Sequence, residues 1–177
     1  MKKTIIIILV LLSITLQAQS EKETKHELKL NVGYALGGIP ELSYEYLLND
    51  ESAFGVSLLY AFDDDNDLKF AITPYYRMYF GNKKAAGFFA EAFGMYNVSE
   101  NNAMIYYDYI PYPGYENNYV IPTKNESDFA LGVAIGAKFL TKKDFIFEFY
   151  GGLGRNLFND ETMDAVPRLG VSFGKRF

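Results

Sequence analysis

The sequence predicts an all-β protein, an eight-stranded antiparallel up-and-down transmembrane β-barrel behind a cleaved leader. Three observations carry that expectation. Apolar and polar residues alternate in eight separate segments between His26 and Phe177, a period of two that no helix of 3.6 residues per turn produces. One alternating set is bulky and almost free of charge, whereas the other mixes small residues with Glu, Lys and Arg. Aromatic residues make up 17% of the chain, all Phe or Tyr, and suit a pleated surface. The mean hydropathy is −0.07, as expected where strands average an apolar face with a polar one.

The chain opens with Lys2 and Lys3, followed by an apolar run from position 5 to 16 and a small residue, Ala18. This is the charge, core and cleavage pattern of a secretory signal peptide. The apolar run is shorter than the ~20 residues of a spanning helix. Expected boundaries are a leader over 1–18, a linker over 19–25 and a barrel over 26–177. The net charge is −5; without the two leader lysines it becomes about −7.

The eight strands follow in order. Residues 26–36 set Leu28, Leu30, Val32, Tyr34 and Leu36 against Glu27, Lys29, Asn31, Gly33 and Ala35. Residues 40–48 alternate Leu42, Tyr44, Tyr46 and Leu48 with Glu41, Ser43 and Glu45. In 53–62, Phe54, Val56, Leu58, Tyr60 and Phe62 oppose Gly55, Ser57, Leu59 and Ala61. Residues 68–80 place Phe70, Ile72, Tyr76, Met78 and Phe80 opposite Lys69, Ala71, Thr73, Tyr75, Arg77 and Tyr79. Within that strand Pro74 lacks an amide donor, so a bulge or local break is expected there. Residues 86–98 have the least distinct faces, with Phe88, Ala90, Ala92 and Tyr96 against Phe89, Glu91, Phe93 and Met95. Residues 128–140 alternate cleanly; 144–154 set Phe145, Phe147, Phe149 and Leu153 against Ile146, Glu148 and Tyr150, and 166–177 set Leu169, Val171, Phe173 and Phe177 against Arg168, Ser172 and Arg176, with Lys175 the one charge on the apolar face.

Two arrangements satisfy this pattern. A soluble barrel turns its apolar set inward; a membrane barrel turns it toward lipid. Eight strands enclose an interior only just wide enough for side chains, which small residues and paired charges fill better than layers of Leu and Phe. An inward network of Glu41, Glu45, Arg77, Glu91, Lys138, Glu148 and Arg168 is therefore expected, with each charge paired because an unpaired one in confinement is costly. It reads either as a structural plug or as an ion path. The outward Tyr34, Tyr44, Tyr46, Tyr60, Tyr76 and Tyr96 are expected near the two interfaces. Connection lengths agree: those around 49–52, 81–84 and 141–143 are short and polar, while 99–127 and 155–165 are long.

The remaining composition excludes several classes. There is no cysteine, hence no disulfide, thiolate metal site, Cys nucleophile or lipoprotein anchor. The charge is wrong for nucleic acid. No phosphate loop or nucleotide fingerprint occurs, and no cofactor or metal is expected. The acidic run at 63–67 has hard oxygen ligands but fails the EF-hand pattern; it reads more simply as a solvated loop tip. The single histidine, His26, has no Ser or carboxylate constellation around it in sequence, so no catalytic residue is assigned and the protein is expected not to be an enzyme. The long connection carries Tyr106, Tyr107, Tyr109, Tyr112, Tyr115 and Tyr119. Tyrosine gives large amphipathic contact area at low entropic cost, which suits recognition of an extracellular protein or glycan. The blander reading is that part of this segment extends the adjoining strands.

The last strand ends on Phe177. An aromatic carboxy-terminal strand resembles the insertion signal read by the barrel-assembly machinery, and the chain resembles the small OmpA/OmpX/OmpW-type barrels. The segments Ile72-Thr73-Pro74-Tyr75-Tyr76-Arg77, Gly87-Phe88-Phe89, Gly151-Gly152-Leu153-Gly154-Arg155-Asn156 and the closing 170–177 resemble more closely a family of short outer-membrane barrels known only as a domain of unknown function. The resemblance implies location in the cell outer membrane, lipid as the surrounding partner, and a non-enzymatic structural or surface-interaction role. Alternatives are a narrow channel for small solutes and a soluble lipocalin-like binder of apolar ligands.

Overall fold

The computed structural model describes residues 24–62, 67–101, 106–107, 118–119, 124–158 and 165–177. The expected leader over 1–18 and residues 63–66 of the acidic run lie outside them. Eight antiparallel strands close into a barrel: β1 (His26–Asn31), β2 (Glu41–Leu47), β3 (Ser52–Tyr60), β4 (Leu68–Lys83), β5 (Ala86–Asn101), β8 (Lys124–Leu140), β9 (Phe145–Asn156) and β10 (Ala165–Arg176). Two short strands, β6 (Tyr106–Tyr107) and β7 (Asn118–Tyr119), pair with each other within the β5–β8 connection. A single helical turn, α1 (Val32–Leu36), follows β1. Among the described residues no helix is long and apolar enough to cross a membrane, which says nothing of strands.

Every strand joins its sequence neighbour within the barrel, and β1 closes the ring on β10. The short turns at 48–51, 84–85 and 141–144 share the near rim with β1's start and β10's end. Asp144 and Ala85 sit there at φ 61 and 42, the left-handed geometry that tight turns require. His26 and Phe177 exchange both backbone hydrogen bonds, at 3.0 and 2.8 Å, so the last residue zips the near end of the seam. The opposite strand ends define the far rim.

The expected alternation appears as alternating burial. In β2 Glu41, Ser43, Glu45 and Leu47 point inward, while Tyr44 and Tyr46 are exposed. In β9 Ile146, Glu148 and Tyr150 are buried between exposed Phe145, Phe147 and Phe149. Pro74 leaves the β4–β5 register intact: Ile72 opposes Tyr96 and Tyr75 opposes Phe93, with only the pairs between them missing. The ladder breaks locally and no bulge forms, because Pro removes a donor without adding a residue. The irregularities fall instead at Leu68/Phe70 and Phe80/Lys83.

The first strand departs most from expectation. Alternation continues to Leu36, yet β1 stops at Asn31 and residues 32–36 coil into α1. Tyr34, expected at an outer interface, turns against the interior cluster of Leu59, Ala71, Tyr75 and Met95. The Asn31 side chain takes the Leu169 carbonyl and the Val171 amide that a longer strand would use, and the partner strand bars further extension. Extending the β1–β10 register, in which Asn31 opposes Ser172, would set Leu36 opposite Pro167. Positions 169, 171 and 177 turn their backbone groups toward the β1 side; Pro167 shares that parity and has no N–H to offer.

Candidate functional site

The interior holds one continuous charge network. Parity places Glu27 and Lys29 of β1, Glu41 and Glu45 of β2, Arg77 of β4, Glu91 of β5, Lys138 of β8, Glu148 of β9, and Arg168 and Arg176 of β10 on the inner face. Within this network five carboxylates face five cations, none more than 3% exposed; Glu126 and Asp128 are buried outside it. Such balance is a condition for burying charge, since desolvation costs several kcal/mol per ion unless partners and hydrogen bonds offset it.

Glu45 is the hub. Its carboxylate accepts from Lys29 and Lys138, each at 2.6 Å, and from Arg77 at 3.1 Å, with Tyr75 (3.1 Å) and Tyr79 as phenolic donors. Arg77 spreads its guanidinium across three acids, donating to Glu91 at 2.6 Å, Glu148 at 2.9 Å and Glu45. Arg168 continues the chain to Glu91 at 2.5 Å and Glu41 at 3.0 Å. Lys138 reaches Glu27 at 2.6 Å, and Arg176 also reaches Glu27, at 2.7 Å. Arg176 further donates to the backbone carbonyls of Lys84 and Ala85, tying the network to the near-rim turn.

Aromatic rings fill what the charges leave. The Arg77 guanidinium lies 4.2 Å from the Phe89 ring centre and 4.6 Å from that of Tyr75. Arg168 lies over Tyr75, Phe93 and Tyr150. Desolvated cation–π contacts of this kind contribute about 2 kcal/mol. Each ring needs room in a narrow barrel, and directly opposed glycines provide it. Tyr75 lies over Gly55, Phe93 over Gly132, Phe89 over Gly136, and Tyr150 over Gly170. A Cβ on Gly55 or Gly170 would come within 2.3 Å of the opposing ring.

The structure brings all seven anticipated charges (Glu41, Glu45, Arg77, Glu91, Lys138, Glu148 and Arg168) into this network. Sequence reasoning left out Glu27, Lys29 and Arg176, although parity already put them on the inner face. It also missed the aromatic–glycine pairs, because these depend on cross-strand register. Lys69 lies outside the network: it pairs with Glu100 at 2.5 Å near the far rim.

Other anticipated positions separate. His26 sits at the near rim, its Nδ1 2.6 Å from the Tyr44 hydroxyl and its ring stacked on Phe177. Phe177, the anticipated insertion signal, is thus built into the seam. Tyr44, Tyr46, Tyr60, Tyr76 and Tyr96 are exposed on the outer wall. In the tyrosine-rich connection, the backbones of Tyr106 and Tyr119 pair in β6–β7; Tyr109, Tyr112 and Tyr115 lie outside the described residues. Among the described residues no group of three or more His, Asp or Glu could hold a metal ion.

These features define a class: closed eight-stranded barrels with a charge-paired interior and an apolar outer wall. The chain matches the family model described as "Protein of unknown function (DUF3575)" over residues 4–167. It belongs to that family. No curated protein and no solved structure matches it.

Proposed function

We propose that the protein is a non-enzymatic barrel of the outer membrane, with its near rim toward the periplasm and its far-rim connections as a surface for extracellular protein or glycan. The observation that carries this reading is the inverted polarity. Glu45 is 0% exposed, whereas Val133 and Leu153 on the outer wall are 68% and 65% exposed. In water such a wall would leave an apolar patch around the whole molecule, far beyond the few hundred Å² that soluble monomers show. Lipid reverses that cost, and closure satisfies the backbone in a phase without hydrogen-bond partners. β9 and β10, at 12 residues each, meet the ~9–11 needed for a tilted crossing.

The buried network supports a plug over an ion path. A lumen wide enough for water would leave accessible area on the side chains lining it, yet Glu45, Arg77 and Lys138 have 0–1%. A soluble lipocalin-like role draws on a different observation, the apolar cluster around Leu59 and Met95 inside the far end, which would then be the ligand site.

The test is membrane fractionation with a detergent gel run before and after boiling. Outer-membrane recovery with a boiling-dependent mobility shift is expected; a soluble protein without the shift would overturn the reading. Deleting residues 105–120 is expected to keep the shift and abolish binding to the cell-surface partner.

A further inference from the structure

The barrel wall is unequal around its circumference. β1 has six residues, too few to cross a bilayer at the ~9–11 per strand that crossing needs. Opposite the missing length, the β10 edge from 165 to 171 has no strand partner on that side. β2 begins at the same level, Glu41 facing Asn31, and residues 38–40 carry its line on, Pro40 and Gly38 carbonyls accepting from Tyr60 N and Phe62 N. Two inter-strand spacings, about 9.6 Å, separate that line from β10, and α1, about 10 Å across, stands in the gap against β10, β1 and β2.

The closure is weak by its own chemistry. One turn is too short to be stable alone, Val32 and Gly33 are poor helix formers, and no α1 residue is fully buried. Period-two alternation through Leu36 shows that the same residues also fit a strand. Asn31 is the latch. Its side chain accepts from Tyr34 N and Val171 N, each at 3.3 Å, and donates to the Leu169 carbonyl at 3.1 Å and to Glu41 at 2.9 Å. It thereby replaces the missing ladder bonds.

Behind α1 the interior changes character. Leu59, Ala71, Met95, Ala130 and Val166 belong to an apolar cluster on which Tyr34 and Ile39 pack as the stopper, with buried Asn97 and Asp128 beside it. Outside, the seam is flanked by exposed Leu36, Leu169 and Val171.

We infer that this half-seam is a lateral gate, with α1 as its moving element, which admits one acyl chain of an outer-leaflet lipid to the apolar cluster as Tyr34 and Ile39 leave it. The inference rests on the membrane reading above. The occupant follows from what borders the gate: an apolar wall outside, an apolar cluster inside, and the width of a single missing strand. The charge network forms the floor and stops the chain from going further.

The chain has neither Cys nor Trp, which makes the test clean. An ideal Cβ on Gly33 lies 3.9 Å from the Val171 Cβ, within disulfide range, so the G33C/V171C pair locks α1 to β10. Met95→Trp reports from the apolar cluster and Leu169→Trp from the outer wall. Each is placed in the double-cysteine background, refolded into vesicles of chain-brominated phosphatidylcholine, and checked by the boiling shift. Leu59→Trp is the second interior reporter should Met95→Trp fail to fold. The expected result is quenching of the interior tryptophan in the reduced protein and its loss on oxidation, with Leu169→Trp quenched in both states. An interior tryptophan unquenched in both, or quenched equally in both, overturns the gate. Failure of Leu169→Trp to quench overturns the membrane reading instead.

Discussion

The near and far halves of the interior are built from opposite materials. From the terminal rim to mid-barrel, ten buried charges and their aromatic neighbours interlock, the Arg77 and Arg168 guanidiniums each sharing several carboxylates. Toward the far rim, the same inward parity carries Leu59, Ala71, Met95, Ala130 and Val166, closed by one helical turn. Six of the eight barrel strands, β3 to β5 and β8 to β10, run through both halves, so most of the difference lies in side chains and not in backbone. Directional, mutually dependent bonds dominate the near half; the far half mixes apolar packing with a few polar side chains, buried Asn97 and Asp128 among them, and its apolar part tolerates rearrangement. Rigidity and adaptability are thus divided along one axis.

The largest expected effect sharpens this contrast. Arg77→Met removes one partner from Glu45, Glu91 and Glu148 together and is expected to cost about 3–5 kcal/mol in urea unfolding of the refolded protein, the range for stranding buried charge. Leu59→Ala in the far half is expected to cost about 2 kcal/mol, the low end for a buried Leu, because Tyr34 and α1 can settle into the space. A larger loss for Leu59→Ala than for Arg77→Met would reverse the assignment of rigid and adaptable halves. Smaller again, Asn31→Ala should cost about 1 kcal/mol globally while greatly speeding amide exchange in residues 32–36; unchanged exchange there would mean that the latch holds nothing. The smallest effect belongs to removal of 105–120, within about 0.5 kcal/mol by the same unfolding measurement, as for changes away from the packed interior.

The same contrast explains what the sequence made legible. Strand number and facing were readable because parity is a local property: Phe145, Phe147 and Phe149 identify their face without reference to any other strand. Charge content of the interior was readable for the same reason. The end of β1 was not, because the alternation of Val32, Tyr34 and Leu36 is as good as that of Leu28 and Leu30. The strand ends where the Asn31 side chain takes the Leu169 and Val171 backbone groups, and Pro167 bars it from reaching Leu36; both depend on the β1–β10 register. Pairing of Tyr75 with Gly55 and of Phe89 with Gly136 was hidden likewise, since each pair meets only once the strands are in register. Lys69 shared the inner parity but lies where β4 rises to the far rim, beyond the reach of the network.

The central claim, that the apolar outer wall meets hydrocarbon and not water, is open to one direct measurement. A spin label on Val133→Cys, in an otherwise cysteine-free chain, reports the phase outside the widest exposed part of the wall. In cell-derived outer membranes the label should collide freely with molecular oxygen and scarcely with a polar nickel chelate. Ready collision with the nickel chelate would place Val133 in water and contradict the account.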